Sequence, residues 1–423
     1  MNPPAVEVVV VTRVLGSGGA ERQALLLAGA LTGSGVPTAV LTFRSDSAVQ
    51  RPDGVAVLTP VDLTVPEDRR PNGGPVARGR RRIATLLRRW GRRPAESAVR
   101  IAARLRIRAV DTFAARLALA TFADQGRVIR QAVDRTGART VVTFLPSMNG
   151  AAAAGLWSSP VRLVASERSD PTKGALKSQW AAMRHLVARR ADVLGANSEH
   201  AARWLFDTFR PDRMTAPLVT PNIVERVSTT AAPDRTVFVV VARLIAGKGV
   251  DHVIRAFAAV TDQLPGWDLT VVGDGPDRPR LQHIVSVLGL EARTRFLGEV
   301  GRVDTVLSAG GVLVHVSERE GMPNSVMEAM ANGLPCIVGD ASPGPVELVT
   351  GGAQPPAGMI VTGSDPEELS AAMRRVASDR SLRDAYGRAG MERMRQRTWG
   401  YLAPTWLALV NASRADERTH PRR

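Results

Sequence analysis

Short apolar runs rich in β-branched residues recur along the chain, separated by segments with helix-forming composition. Residues 6–11 form the first run, and the glycine-rich Gly16-Ser17-Gly18-Gly19 and a helix pattern over 20–31 follow it. Comparable runs stand at 38–43, 55–58, 140–144, 161–165, 192–196 and 217–220. Ser198 is placed to cap a helix starting near Glu199. The polar, turn-rich stretch 224–233 then interrupts the pattern, which restarts at 236–241 and is followed by a helix over 250–264. Strand-length runs continue at 268–272, 294–297, 312–316, from Pro335, and at 358–361. Runs of four to six apolar residues between helical stretches read as buried parallel strands. The expected fold class is α/β, with two Rossmann-like doubly wound domains. We place the first domain at 1–222 and the second at 235–395, with 398–410 packing back across the junction and 413–423 a disordered tail.

Residues 312–340 (VLVHVSEREGMPNSVMEAMANGLPCIVGD) condense the pattern into one strand, loop, helix and strand. The predicted helix spans 323–332 and is stopped by Gly333 and Pro335. Glu320 lies in the loop and Glu328 about one turn inside the helix, so the two carboxylates straddle a helix N-terminus. Such a terminus offers free amides and a partial positive charge to a phosphate, while carboxylates accept from sugar hydroxyls. The combination points to a nucleotide sugar.

Composition narrows the picture. The chain of 423 residues is 44% hydrophobic and has one cysteine, Cys336, which excludes an intrachain disulfide and a thiolate zinc site. No apolar run approaches the roughly 20 residues that span a bilayer, and the N-terminus lacks a basic segment with a long apolar core. The expectation is a cytoplasmic chain, neither membrane-spanning nor secreted. Net charge is +16, with Lys173, Lys177 and Lys248 the only lysines. Fourteen arginines fall within 69–108, interleaved with Leu, Ile, Ala and Trp90. That stretch reads either as a solvated surface helix or as a basic amphipathic segment for an anionic membrane surface, the inner face of the cell membrane. Nucleic acid is not an expected partner, because no module signature accompanies the charge and aromatic content is 4%.

Strand ends supply the remaining candidates. Gly18 and Gly19 would let backbone amides approach an anion, although glycine turns after a first strand are common. Glu167 and Arg168 follow the run 161–165 and are either site residues or an edge ion pair. Arg243 and Lys248 flank the loop after the second domain's first strand, where two cations would hold a diphosphate.

In order and spacing, Gly18-Gly19-Ala20-Glu21-Arg22, Pro221-Asn222, Arg243 with Lys248-Gly249, residues 271–276 (VVGDGP), and Glu320 with seven residues before Glu328 resemble one family. They are similar to the family-4 retaining glycosyltransferases of the GT-B fold, two domains facing across a cleft. The stretches 143–149, 166–171 and 320–324 resemble the branch that builds exopolysaccharides and lipid-linked oligosaccharides. The resemblance implies transfer of a hexose or N-acetylhexosamine from a nucleotide diphosphate sugar, as co-substrate, to a lipid-linked or polysaccharide acceptor. It implies that Arg243 and Lys248 stabilise the leaving diphosphate, that Glu328 accepts from ribose hydroxyls and that Glu320 holds the sugar. Backbone near Gly321, Met322, Asn324 and Ser325 would approach sugar or phosphate, with Gly18 and Gly19 meeting the donor from the other domain. Two departures from the family stand out: Glu167 and Arg168 stand where many members have a histidine, and Pro323 stands where glycine is usual. No Asp-x-Asp motif occurs, so neither a metal nor another cofactor is expected. Two other readings share these residues: a GT-B relative of other chemistry, such as an epimerase or phosphorylase, and a non-catalytic basic binding protein.

Overall fold

The computed structural model describes residues 3–16, 18–44, 51–63, 122–172, 178–230, 234–351, 355–362 and 365–411. The chain divides into two compact units, one running to Thr220 and resuming at Pro404, the other spanning Pro221–Ala403. In the first, strands β1 (Val8–Thr12), β2 (Thr38–Thr42), β3 (Ala56–Leu58), β4 (Thr140–Phe144), β5 (Arg162–Glu167) and β6 (Val193–Ala196) form a parallel sheet in the order β3-β2-β1-β4-β5-β6. In the second, β7 (Val237–Val241), β8 (Asp268–Val272), β9 (Thr294–Gly298), β10 (Val312–His315), β11 (Cys336–Gly339) and β12 (Gly358–Val361) are ordered β12-β11-β10-β7-β8-β9. Each unit thus winds outward from its first strand and then restarts on that strand's other side. Reversal falls at β1/β4 and at β7/β10, and ligands of such sheets bind where the carboxyl ends of the reversing strands part.

Alternation along the second sheet separates its two faces. Phe238 and Val240 of β7, Val312 and Val314 of β10 and Ile337 of β11 enter one core, with the helices Val250–Val260 and Pro366–Ser378. Val239, Leu313, Cys336 and Val338 point the other way, against the helix Asn324–Ala331. Because side chains alternate, His315 follows Leu313 onto this second face.

Several elements differ from the sequence expectation, each for a local reason. Strand β5 runs two residues further than 165, so Glu167 is its last residue rather than a loop residue. The segment 217–220 contributes one bridge, Ala196 to Val219, and no strand. The helix expected over 250–264 ends at Val260 and tightens into a 3₁₀ turn, Thr261–Gln263. The division at Thr220/Pro221 precedes the polar stretch 224–233, because its first half is tied to the second unit: the Val224 amide donates to Arg397 O at 2.9 Å and the Ser228 amide to Ala331 O at 2.7 Å. The arginine-rich stretch 69–108 and the tail 413–423 lie outside the described residues. Among the described residues no helix is long and apolar enough to cross a membrane.

The last helix, Trp399–Asn411, returns its second half to the first unit. Its terminal carbonyls would otherwise lack partners. Thr140 Oγ1 donates to Val410 O at 2.7 Å, and the buried Arg162 donates through Nε to Leu409 O at 2.8 Å. Trp406 is fully buried and meets Phe144 edge-on, ring centroids 6.5 Å apart. Trp406→Ala is expected to cost about 3–5 kcal/mol. Urea unfolding followed by near-ultraviolet circular dichroism checks this, and an unchanged midpoint would show that the helix adds nothing to the first unit's core.

Candidate active site

Reversal at β7/β10 sets two loops side by side. Strand β7 runs into residues 242–249, and β10 runs into 316–323. Gly249 has φ +69°, and a Cβ there would lie 2.4 Å from Val316 O, so only glycine lets the first loop pass this close to the end of β10. The Glu318 amide donates to Gly247 O at 2.9 Å and closes the contact.

Glu320 is fixed from several sides. Its amide donates to Ser342 Oγ at 3.0 Å, and that hydroxyl donates to Glu318 O at 3.2 Å. Behind it, Gly344 stacks so tightly that a Cβ would lie 1.4 Å from Gly321 O. The Glu320 carboxylate pairs with Lys248 Nζ at 2.5 Å and lies 3.7 Å from His315 Nε2. His315 Nδ1 faces Ser325 Oγ at 3.4 Å. Burial lowers the His315 pKa; Glu320 opposes that shift and Lys248 reinforces it, so the imidazole is neutral at pH 7.

Around this cluster the backbone of the helix Asn324–Ala331 opens toward the loop. Pro323 is its N-cap residue, with φ −70° and ψ 120°, and the amides of Asn324, Ser325 and Val326 have no acceptor within the helix. Asn222 is buried and donates through Nδ2 to Met322 O at 3.2 Å and to Asn324 Oδ1 at 2.7 Å. Glu328 is the helix's fifth residue and is half-buried. Arg243 is exposed, and among the described residues its side chain has no hydrogen-bond or ion-pair partner.

Of the expected site residues, Lys248, Glu320, Gly321, Met322, Asn324, Ser325 and Glu328 therefore gather around one loop and helix N-terminus, and Arg243 stands on the loop beside them. Lys248 and Glu320, expected in separate roles, form one ion pair. The others belong to the first unit. Gly18 is the N-cap residue of the helix Gly19–Gly33, where a Cβ would meet the Glu21 carboxylate at 2.2 Å. Glu167 is 1% exposed and forms a two-pronged pair with Arg184 of the helix Ser178–Arg190, at 3.0 and 3.2 Å. This corrects its expected place in an open loop, because the strand carries it into the core, where a charge needs a partner. Arg168 is the residue past the strand end, half-buried with its guanidinium 3.7 Å above the Phe144 ring, and desolvation lowers its pKa.

Sequence reasoning missed His315, Ser342 and the loop-holding part of Asn222. For His315 the signal was present: it is the polar residue inside the run 312–316. Ser342 and Asn222 act through contacts 22 and 100 residues apart in sequence, which no local pattern encodes.

Comparison with known proteins bears on the family and the fold. The model for "Glycosyl transferases group 1" matches residues 223–393. An exopolysaccharide phosphotransferase of Streptomyces coelicolor is 27% identical over 241 residues, 56% of this chain and 25% of that protein. The lipopolysaccharide core biosynthesis glycosyltransferase LpsD of Rhizobium meliloti is 33% identical over 174 residues, 41% of this chain and 48% of that protein. The chain thus spans between a quarter and about half of these relatives. Among solved structures, Anabaena HepE in complex with UDP superposes with a TM-score of 0.67 at 17% identity, covering 96% of this chain and 99% of that one. Sucrose-phosphate synthase of Thermosynechococcus elongatus gives 0.70 at 15% identity, with 96% and 98% covered. These two share the two-sheet GT-B fold with this chain, and within it residues 223–393 are a glycosyl transferases group 1 domain.

Proposed function

We propose that the chain is a retaining glycosyltransferase that moves a hexose or N-acetylhexosamine from a nucleoside diphosphate sugar to a polysaccharide or lipid-linked acceptor. It would need no resident metal or other cofactor, since the nucleotide sugar is a co-substrate. One observation carries the reading. At the β7/β10 reversal, Lys248 of the β7 loop pairs with Glu320 of the β10 loop beside a helix N-terminus, and Arg243 of the β7 loop is exposed with no ion-pair partner among the described residues. Relatives named for exopolysaccharide and lipopolysaccharide core biosynthesis support the acceptor class.

In this reading Arg243, whose side chain has no partner among the described residues, takes the diphosphate as a bidentate ligand. Lys248, paired with Glu320 in the free site, turns to the phosphate. Glu320 accepts from a sugar hydroxyl, Glu328 accepts from the ribose, and the amides at Asn324 and Ser325 face the phosphate or the sugar. As the anomeric C–O bond to the β-phosphate breaks, negative charge grows on the departing oxygen, and Arg243 and Lys248 stabilise it. The acceptor hydroxyl attacks from the same face and its proton passes to that oxygen, so no protein nucleophile is required. We further propose that the enzyme works in the cytoplasm and that residues 69–108 attach it to the anionic inner face of the membrane.

With membrane extract as the acceptor source, wild type should release nucleoside diphosphate from one donor of a nucleotide-sugar panel. Glu320→Gln should release it at least about a hundredfold more slowly, with an unchanged thermal unfolding midpoint. If every donor stays intact the transferase reading is abandoned, and equal rates in the mutant would remove Glu320 from the site. In liposome co-sedimentation, the bound fraction should rise with anionic lipid and fall with salt. Indifference to lipid charge would remove the membrane attachment.

A further inference from the structure

We infer that His315 is a positioning residue of this site, whose Nε2–H takes over the Glu320 carboxylate when the donor's diphosphate draws Lys248 away. The inference rests on the transferase reading, because it concerns what happens to the Lys248–Glu320 pair when an anion arrives. Strand alternation sends His315 toward the helix Asn324–Ala331, where Ser325 faces Nδ1. A hydroxyl donating to Nδ1 leaves the proton on Nε2. His315 is 7% exposed, and among the described residues Nε2 has no hydrogen-bond partner. A buried donor left unpaired is costly, yet Nε2 already lies 3.7 Å from Glu320 Oε1 and needs only a small closing motion to bond it.

The charged groups facing the ring explain the need. Glu320 approaches from the loop after β10 and Lys248 from the loop after β7; Ser325 on the helix is neutral. In the free site Lys248 neutralises Glu320. A lysine is a flexible point charge, so a diphosphate bound by Arg243 competes for it directly. Without a second donor, the carboxylate would be left poorly solvated and free to turn just when it must accept from the sugar. A neutral imidazole N–H supplies that bond without adding a cation, so Lys248 remains available to the leaving group.

The test compares His315→Phe, which removes the N–H, with His315→Gln, which returns one in nearly the same place. With the donor that wild type consumes, His315→Phe should lower kcat about ten- to hundredfold, the loss of one hydrogen bond to a charged group. Donor KM should stay nearly unchanged, and His315→Gln should recover most of kcat. Wild-type kcat in His315→Phe, or equal losses in both variants, would overturn the inference. Should His315→Phe fail to fold, nitrogen-15 histidine resonances of wild type decide independently: the neutral Nε2–H form is expected, its proton shifting downfield on saturation with inorganic pyrophosphate. The Nδ1–H tautomer, or no shift with pyrophosphate bound, would overturn it. If no donor is consumed, the transferase reading falls while this spectroscopic arm still tests His315.

Discussion

The second unit's chemistry depends on one topological constraint, the reversal of strand order between β7 and β10. In a parallel sheet wound one way, successive loops are separated by the helices that cover the faces. Where the winding restarts on the other side of its first strand, two strand ends part and their loops become neighbours without a helix between them. Here the loops meet through Gly247, Gly249 and Glu318 backbone contacts. Lys248 and Glu320, 72 residues apart in sequence, become an ion pair as a consequence.

That pair sits on a rigid floor. Ser342 ties two main-chain positions of the Glu320 loop, Gly344 holds the loop from behind, and Asn222 holds the Met322 carbonyl and the Asn324 side chain. The proposed exchange of side-chain partners would take place on a backbone held by these contacts. A cluster of one lysine, one carboxylate and one neutral imidazole suits this exchange, since a diphosphate can claim the ammonium and the carboxylate still finds a donor. By contrast, the Glu167–Arg184 pair is bidentate and buried, with geometry that favours staying closed.

Much of the fold was legible because buried parallel strands leave a strong local signature. The five-residue run at 140–144 matches β4 residue for residue, and β8 and β12 likewise coincide with 268–272 and 358–361. The loop carrying Glu320 was legible too, because Gly321, Pro323 and Gly333 punctuate it. What stayed hidden was long-range. Glu167 looked like a loop residue because the apolar run stops at Ala165, yet the strand continues when Arg184 arrives from a neighbouring helix to neutralise its last side chain. His315 was visible as the polar residue of its run, but only strand pairing and alternation show which face it occupies.

The most direct measurement of the central claim is calorimetric titration of nucleoside diphosphates into wild type and Arg243→Ala. At least one of uridine, guanosine, adenosine or thymidine diphosphate should bind wild type, and Arg243→Ala should weaken it about tenfold or more, as expected for loss of a charge-assisted bidentate contact. Binding unaffected by that substitution, or no binding of any of the four, would contradict the assignment of the β7/β10 crevice as the diphosphate site.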